Sequence, residues 1–249
     1  NLTNVLLQAA VIAVVTIGMT YVVIGGGFDL SVGSVAALSG CIAAEVLLKH
    51  GVLAGVVAGA LSGVAVGIVN GLVIAKLRVS PFIATLGTMI LVRGIVLLLT
   101  QGAPVVGDDG LGETFATLGS GRVLGLPILV WIAGVLAIVF SWVLHRTAYG
   151  TRVFAVGGNR EAAFLSGLPV QRITVSLYAI CGLTAGLAGV AIGQRRRDQR
   201  LHVHQPLVQQ FHRHRELGVE AERAAHVELL GDDGVHRQRD LAAQPHQPQ

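Results

Sequence analysis

The stretch YVVIGGGFDLSVGSVAAL, from Tyr21 to Leu38, places three consecutive glycines and a carboxylate between two apolar segments. Glycine weakens helices and permits backbone angles that other residues resist, so the triplet Gly25–Gly27 predicts a helix end. Asp29 or Ser31 can cap a new helix, because both residue types are favoured at helix N-termini. Two interpretations remain open: a tight turn followed by a helix cap, or a broken membrane helix that faces a polar pathway.

Long apolar runs lie on both sides of this stretch. Hydrophobic residues make up 53% of the 249-residue chain, and charged residues make up 13%. A membrane-spanning helix needs roughly 20 apolar residues. The sequence therefore predicts an all-α, polytopic transmembrane helical bundle with about six apolar spans. The runs that approach the required length are Asn4–Ile24, Leu30–Leu48, Val52–Ala75, Phe82–Leu99, Ile128–Leu144 and Ile173–Ile192.

The end of the chain has a different composition. Residues 1–193 contain 15 charged residues, whereas residues 194–249 contain 17 and also hold seven of the nine histidines. Such a segment buries too little apolar surface to offset the entropy of ordering. We predict a membrane domain at residues 1–193 and a polar, disordered tail at residues 194–249 that adds no span.

Basic residues in short loops favour the cytoplasmic side of a membrane. The loop His145–Arg172 carries four arginines besides Glu161, so we expect it to be cytoplasmic. Thr100–Leu126 should then lie outside. The direction of the spans before Val52 stays open, because the glycine triplet could break a helix within the membrane instead of joining two spans.

The stretch VGGNREAAFLSGLPV, from Val156 to Val170, lies in the predicted cytoplasmic loop. Asn159 can cap a short helix over Arg160–Ser166, and Gly167 followed by Pro169 can end it. Two interpretations are open here as well. The helix could simply tie two spans together, or it could dock in a groove of a cytoplasmic partner.

Other polar residues lie within or beside the apolar runs. Arg93 could extend to the membrane surface or pair with a carboxylate such as Asp29. Glu45 and Lys49 have the spacing of a helical ion pair. Cys41 and Cys181 are typical of packing residues and do not indicate a disulfide framework. "VSPF" offers Ser80 as an N-cap and Pro81 at the first helical position, and "GLPI" places Pro127 in the same way.

The sequence contains no recognisable catalytic or metal-binding motif. We find no His-Glu-x-x-His, Gly-x-Ser-x-Gly or Gly-x-x-x-x-Gly-Lys motif. The tail segments HVHQ and HRHR lack the spacing of a closed metal site. We therefore expect no catalytic residue, no metal site and no cofactor, which disfavours a membrane-embedded enzyme.

Four stretches resemble one known family: NLTNVLLQAA, IGMTYVVIGGGFDLSVGSVAALSG, NGLVIAKLRVSPFIATLGTMILVRG and GTRVFAVGGNREAAFLSGLPVQRI. From Asn1 to about Gly193 the chain is similar to the permease subunit of bacterial ABC importers for monosaccharides, the ribose-type permeases. The resemblance implies a multi-pass protein of the bacterial inner membrane that pairs with a second permease subunit in the lipid bilayer. It would receive a sugar from a periplasmic binding protein, and cytoplasmic ATPase subunits would drive transport. The permease would hydrolyse nothing itself, and no nucleic acid is implied.

The resemblance also implies roles for particular residues. The translocation path would include Gly25, Gly26, Gly27, Asp29 and Ser31. Contact with the ATPase would involve Asn159, Glu161, Ala162, Ala163 and Gly167. The nearest alternative is an ABC permease for another solute, such as branched-chain amino acids, and a further alternative is a non-functional fragment.

The chain departs from the family pattern at both ends. Family members have another transmembrane helix before the position of Asn1, and they continue with further spans after about Gly193. Here an Arg-, His- and Gln-rich segment replaces those spans. We expect a shifted reading frame in a GC-rich gene, with a divergent tail as the alternative, and in either case an incomplete permease domain.

Overall fold

The computed structural model describes residues 2–101 and 122–192. These residues form a helical bundle with one short hairpin, β1 (Arg122–Val123) paired antiparallel with β2 (Leu126–Pro127). The predicted tail, residues 194–249, lies outside the described residues. The helices are α1 (Leu2–Ile24), α2 (Val32–His50), α3 (Val52–Lys76), α4 (Pro81–Thr100), α5 (Ile128–Arg146), α6 (Ala148–Gly158), α7 (Arg160–Leu165) and α8 (Val170–Ile192).

Six helices in the described part of the chain, α1 to α5 and α8, are long and apolar enough to cross a membrane. This finding confirms the predicted all-α polytopic bundle and each of its six apolar runs. The largest difference in bounds is at α8, which begins at Val170 and not at Ile173. Ser80 occupies the N-cap of α4 with Pro81 in its first turn, but the Ser80 side chain makes no capping hydrogen bond. Pro127 precedes α5 as its N-cap and is not its first residue.

The hairpin before α5 was not predicted from the sequence. Its two turn residues, Leu124 and Gly125, have φ angles of 53° and 80°, the left-handed pair that a two-residue antiparallel connection favours. The indole nitrogen of Trp131 donates to the carbonyl of Val123 at 3.1 Å. The hairpin therefore folds back onto the first turn of α5.

Helix α8 is the centre of the bundle. In its most apolar stretch 61% of the residues are buried, against 11–33% in the other five spans. The close packing comes from glycines on α3 spaced four residues apart, which let the two backbones touch. A Cβ atom added to any of them would meet α8 at less than 3 Å: Gly59 at Val190, Gly63 at Gly182, Gly67 at Tyr178 and Gly71 at Val175.

These contacts fix the direction of the first spans. The contact positions rise along α3 as they fall along α8, so the two helices are antiparallel. Gly18 of α1 meets Cys181 and Thr184, and Gly25 meets Leu177, so α1 is also antiparallel to α8. Helix α2 is antiparallel to α3 across the turn at Gly51. The chain therefore reverses direction at the glycine triplet. This reversal settles the direction of α1 relative to α2, which the sequence left open.

Two further predictions are confirmed. Lys49 pairs with Glu45 at 3.0 Å on the exposed side of α2. Cys41 and Cys181 are both free thiols, and Cys181 is fully buried in the largest apolar cluster. Cys181 therefore acts as a packing residue, as predicted, whereas Cys41 is only half-buried.

Candidate functional site

The glycine triplet ends α1 through a pair of backbone hydrogen bonds. The N–H of Gly26 donates to Val23 at 3.0 Å, and the N–H of Gly27 donates to Val22 at 2.9 Å. This pattern needs a left-handed residue after the helix, and Gly26 supplies it with a φ of 79°. Gly27 has a different task, because a Cβ atom there would collide with the hydroxyl of Tyr178. The triplet therefore ends α1 and leaves room for Tyr178 of α8 to pack against the turn.

Asp29 organises the loop that follows. Its Oδ1 atom accepts a hydrogen bond from the Ser31 backbone N–H at 2.8 Å and another from the Ser31 hydroxyl at 2.6 Å. Both residues are buried, with Asp29 2% exposed and Ser31 0% exposed. Ser31 does stand at the N-cap of α2, but no side chain caps the helix. The predicted capping bond is therefore wrong, because the carboxylate holds the loop just before the helix.

A chain of hydrogen bonds connects Asp29 to two other helices. The Thr88 hydroxyl donates to Oδ1 of Asn70 at 2.6 Å, and Nδ2 of Asn70 donates to the Ser31 hydroxyl at 2.9 Å. With the bond from Ser31 to Asp29 this makes three consecutive bonds that run toward the carboxylate, which we call the Thr88–Asn70–Ser31–Asp29 relay. Donor chains of this kind polarise one another and strengthen.

Further bonds hold the loop at both sides. The Leu30 N–H donates to the Thr85 hydroxyl at 3.2 Å, and the Tyr178 hydroxyl donates to the Phe28 carbonyl at 3.1 Å. Helices α3, α4 and α8 thus all contribute. Asn70 lies six residues before the end of α3, which places the relay about 9 Å inside the bundle. Among the described residues, no buried side-chain nitrogen or oxygen lacks a hydrogen-bond partner.

The sequence analysis missed Asn70, Thr85, Thr88 and Tyr178. Asn70 offered a signal, since an amide inside an apolar run is costly unless it has a partner or a function. Thr85 and Thr88 offered little, because threonine commonly bonds back to its own helix, as Thr85 also does to the carbonyl of Pro81.

The predicted path residues are not equally accessible. Gly26 is exposed and Gly25 is half-buried, whereas Gly27, Asp29 and Ser31 are buried. The structure brings Asp29 and Ser31 into direct contact, and their role in translocation stays a prediction.

The suggested pairing of Arg93 with Asp29 is wrong. Arg93 lies on an exposed side of α4, and the ion pair of Lys49 with Glu45 is the only one among the described residues. The side of α4 that faces the loop carries Thr85 and Thr88 instead. Asp29 is therefore stabilised by hydroxyl and backbone donors and not by a cation.

The second candidate segment, α6 and α7, has the helix ends that the sequence predicts. Oδ1 of Asn159 accepts from the Ala162 N–H at 2.9 Å, which confirms the N-cap. Gly167 has a φ of 81°, and the N–H groups of Gly167 and Leu168 close the helix on the carbonyls of Phe164 and Ala163. Helix α7 thus ends with the same hydrogen-bond pattern as α1.

Helix α7 presents an apolar surface outside the membrane-spanning helices. Phe164 is 68% exposed and Leu165 is 79% exposed, and the predicted contact residues Asn159, Glu161, Ala162 and Gly167 are exposed beside them. Ala163 differs from this group, because it is buried in the largest apolar cluster. Four of the five predicted contact residues are therefore accessible to a partner, and Ala163 holds α7 to the bundle.

The segment is attached firmly to the same end of the bundle as the glycine turn. Arg160 donates to the Thr174 hydroxyl at 3.1 Å, and the Tyr149 hydroxyl bonds that of Ser176 at 2.7 Å. Burial raises the pKa of the Tyr149 phenol above its ordinary value, so the phenol stays protonated at neutral pH. Gly157 packs directly on the carbonyl of Ile24, next to Gly25. The two candidate segments are therefore neighbours.

Comparison with known proteins identifies the family. A family model described as the permease component of a branched-chain amino acid transport system matches residues 1–208. The chain is 43% identical over 192 residues to the ribose import permease protein of Escherichia coli K12 and 44% identical over 209 residues to that of Bacillus subtilis. It is 39% identical over 196 residues to the L-arabinose permease protein of Azospirillum brasilense. No solved structure matches.

These alignments cover 76%, 83% and 78% of the chain, and 60%, 62% and 57% of the respective relatives. The chain therefore spans about three fifths of the length of the curated relatives it matches. The family match also continues beyond residue 193 to residue 208, so the predicted domain boundary stays a prediction. Together, the six spans, the model match and these identities show that the chain belongs to the family of transport-system permease components that includes the ribose and arabinose permeases.

Proposed function

We propose that this protein is the membrane-spanning permease subunit of an ABC importer that moves a monosaccharide, a ribose-like pentose or a hexose, into the cytoplasm. The observation that carries the proposal is the identity of 38–44% to ribose and arabinose permeases over more than three quarters of the chain.

ATP hydrolysis would take place on separate cytoplasmic ATPase subunits. The feature that supports this partner is the exposed apolar pair Phe164 and Leu165 on α7, beside the acidic Glu161. Exposed apolar side chains outside the membrane commonly mark protein contacts. A periplasmic sugar-binding protein and a second permease subunit would complete the importer in the bacterial inner membrane.

The translocation path would pass the loop that follows the glycine triplet. This loop holds the buried carboxylate of the bundle within a set of hydroxyl and amide groups, which suits a substrate rich in hydroxyl groups. The bonded loop would represent the closed state of the path at this depth.

The alternative is a permease for branched-chain amino acids, and the description of the matching family model favours it. The two substrates need different binding groups along a translocation path. An amino acid zwitterion carries two charges that need counter-charges or helix ends, whereas a sugar needs only neutral hydrogen-bond partners. The hydroxyl-rich relay fits the sugar better.

Substrate uptake by cells lacking the gene separates the two functions. We expect deletion to abolish high-affinity uptake of labelled ribose or arabinose, and a plasmid copy of the gene to restore it. Leucine uptake serves as the matched measurement in the same cells. Loss of leucine uptake with normal pentose uptake would establish the alternative and reject the sugar permease.

A further inference from the structure

We propose that Asp29 and Asn70 form a transient binding site for two neighbouring hydroxyl groups of the transported sugar, exposed when Ser31 leaves the relay. This inference rests on the proposed sugar permease function and assigns a specific contact within it. It adds Asn70, a residue that the resemblance did not indicate, and names the chemistry that the pair recognises.

The relay already contains the hydrogen bonds of a bound hydroxyl group. The Ser31 hydroxyl accepts from Nδ2 of Asn70 at 2.9 Å and donates to Oδ1 of Asp29 at 2.6 Å. A single hydroxyl therefore bridges an amide donor and a carboxylate acceptor. A sugar hydroxyl has the same capacity to accept and donate at once, so it can take the place of the Ser31 hydroxyl.

Opening of the loop creates a need for that replacement. Asp29 and Asn70 are at least 98% buried, and a buried polar group that loses its partner is strongly destabilised. Movement of the Ser31 hydroxyl out of the relay therefore leaves the Asn70 amide without its acceptor and removes one of the two hydrogen bonds to Asp29 Oδ1, the other being donated by the Ser31 backbone N–H. A diol can satisfy both groups, because the 2-hydroxyl can bridge Asn70 and Asp29 as the Ser31 hydroxyl does, while the neighbouring hydroxyl donates a second hydrogen bond to the carboxylate. Opening is therefore favoured when sugar is present.

The parts of the relay differ in their freedom to move. Asn70 and Thr88 lie within the regular helices α3 and α4, whereas Ser31 lies at the end of the loop that begins at Gly25. Residues of that loop on either side of Asp29, Phe28 and Leu30, are exposed. Asp29 and Ser31 are therefore the loop members of the relay, and rotation of the Ser31 side chain frees the Asn70 amide while Thr88 keeps Asn70 oriented.

A second, partly buried hydroxyl contact between α2 and α3 provides a comparison. Ser62 of α3 donates to Ser39 of α2 at 3.0 Å, about two turns from Asn70 on the same helix. This pair joins the same two parts of the chain, but it contains neither a carboxylate nor an amide. Ser62→Ala therefore removes an interhelical hydrogen bond without touching the proposed site.

The test uses the ratio of ribose uptake to 2-deoxyribose uptake, because 2-deoxyribose lacks one of the two neighbouring ring hydroxyls. The full protein is expressed from a plasmid in cells that lack the chromosomal gene and keep the other importer components. We expect Asp29→Asn and Asn70→Ser each to lower the ratio by about fivefold, the effect of one lost hydrogen bond of average strength. Ser62→Ala should leave the ratio at the wild-type value.

The amount of each variant in the membrane is measured in parallel. If Asp29→Asn fails to reach the membrane, Thr88→Ala decides instead, since it removes only the bond that orients Asn70, and a lower ratio is again expected. An unchanged ratio in variants present at the wild-type level, with both sugars reduced equally, would overturn the binding site and leave a structural relay. Absence of all sugar uptake in the wild type would reject the permease function itself.

Discussion

Gly157 of α6 lies directly on the backbone carbonyl of Ile24, the last residue of α1. A Cβ atom at Gly157 would overlap that oxygen and would also touch Gly25. The segment that carries exposed Phe164 and Leu165 is therefore in backbone contact with the point where the glycine turn begins. Movement of α6 relative to α1 must change this contact.

Replacement of Gly157 tests the contact. We expect Gly157→Ala to separate α6 from α1 and to lower the stability of the protein by about 1–3 kcal/mol, the usual cost of overpacking. The measurement is thermal unfolding in detergent. Gly158→Ala is the matched control, because a Cβ atom there meets nothing within 4 Å. Equal stability of the two variants would show that α6 and α1 are not in contact.

Crosslinking tests the docking of α7 on an ATPase. A cysteine at exposed Ala162 should crosslink to the ATPase subunit in membranes, whereas one at Ala163 should not, because Ala163 is 5% exposed and faces the bundle. The readout is the mass of the crosslinked product on a denaturing gel. A permease whose Ala162→Cys variant never reaches the ATPase would exclude α7 as the docking helix.

The glycines of α3 should be sensitive to any side chain. A methyl group at Gly63 would collide with the carbonyl of Gly182 on α8, so we expect Gly63→Ala to destabilise the bundle by several kcal/mol, roughly the upper range for overpacking. Gly87→Ala on α4 is the control, since nothing lies within 4 Å of its added Cβ atom. Resistance to unfolding in a titration with denaturing detergent gives the comparison. Similar resistance of both variants would contradict the close approach of α3 and α8.

Thiol labelling tests the translocation path. Cysteines at Asp29, Ser31 and Ser34 should react slowly with small aqueous reagents at rest, because all three positions are buried. We expect the rate to rise during transport as the loop opens, and sugar to protect the first two positions. A cysteine at Leu47, buried far along α2, should stay unreactive throughout. No change at any loop position during transport would identify the segment as a packed turn.

Hydropathy and helix-ending residues were sufficient to predict the spans. The ends of α3, α4 and α7 follow from residues whose effect is local, such as Pro81, Asn159 and Gly167. A run of apolar residues in a membrane protein has few alternatives to a helix, since backbone groups must be satisfied within the segment. Prediction was therefore reliable wherever the determining interaction was close in sequence.

Contacts between helices were predicted less well. The spacing of Gly59, Gly63, Gly67 and Gly71 indicates a close helix contact, but not that α8 is the partner. The proposed pairing of Arg93 with Asp29 relied on charge alone, whereas the rotation of α4 about its axis turns Thr85 and Thr88 toward the loop. Rotation and neighbours are set by the packing of the whole bundle, which no single stretch encodes.

In both candidate segments, the features set by local sequence were predicted, and the features set by contacts between helices were not. The sequence placed Asp29 beside a helix break, and the break is present. It did not predict Asn70 as a partner, because the two residues are 41 positions apart and only antiparallel packing of α2 on α3 brings them together. In α7, a two-residue difference in helix phase separates exposed Glu161 from buried Ala163. That phase depends on the cluster against which the helix packs.

The central claim, that this chain forms the membrane path of an ATP-driven monosaccharide importer, is tested most directly by reconstitution. The protein is placed in lipid vesicles with its ATPase subunits, and labelled ribose is supplied with the binding protein. We expect ATP-dependent accumulation of ribose, which disappears when the phosphate-loop lysine of the ATPase is replaced. Accumulation that does not depend on ATP, or ATP-driven transport of leucine but not of ribose or arabinose, would contradict the claim.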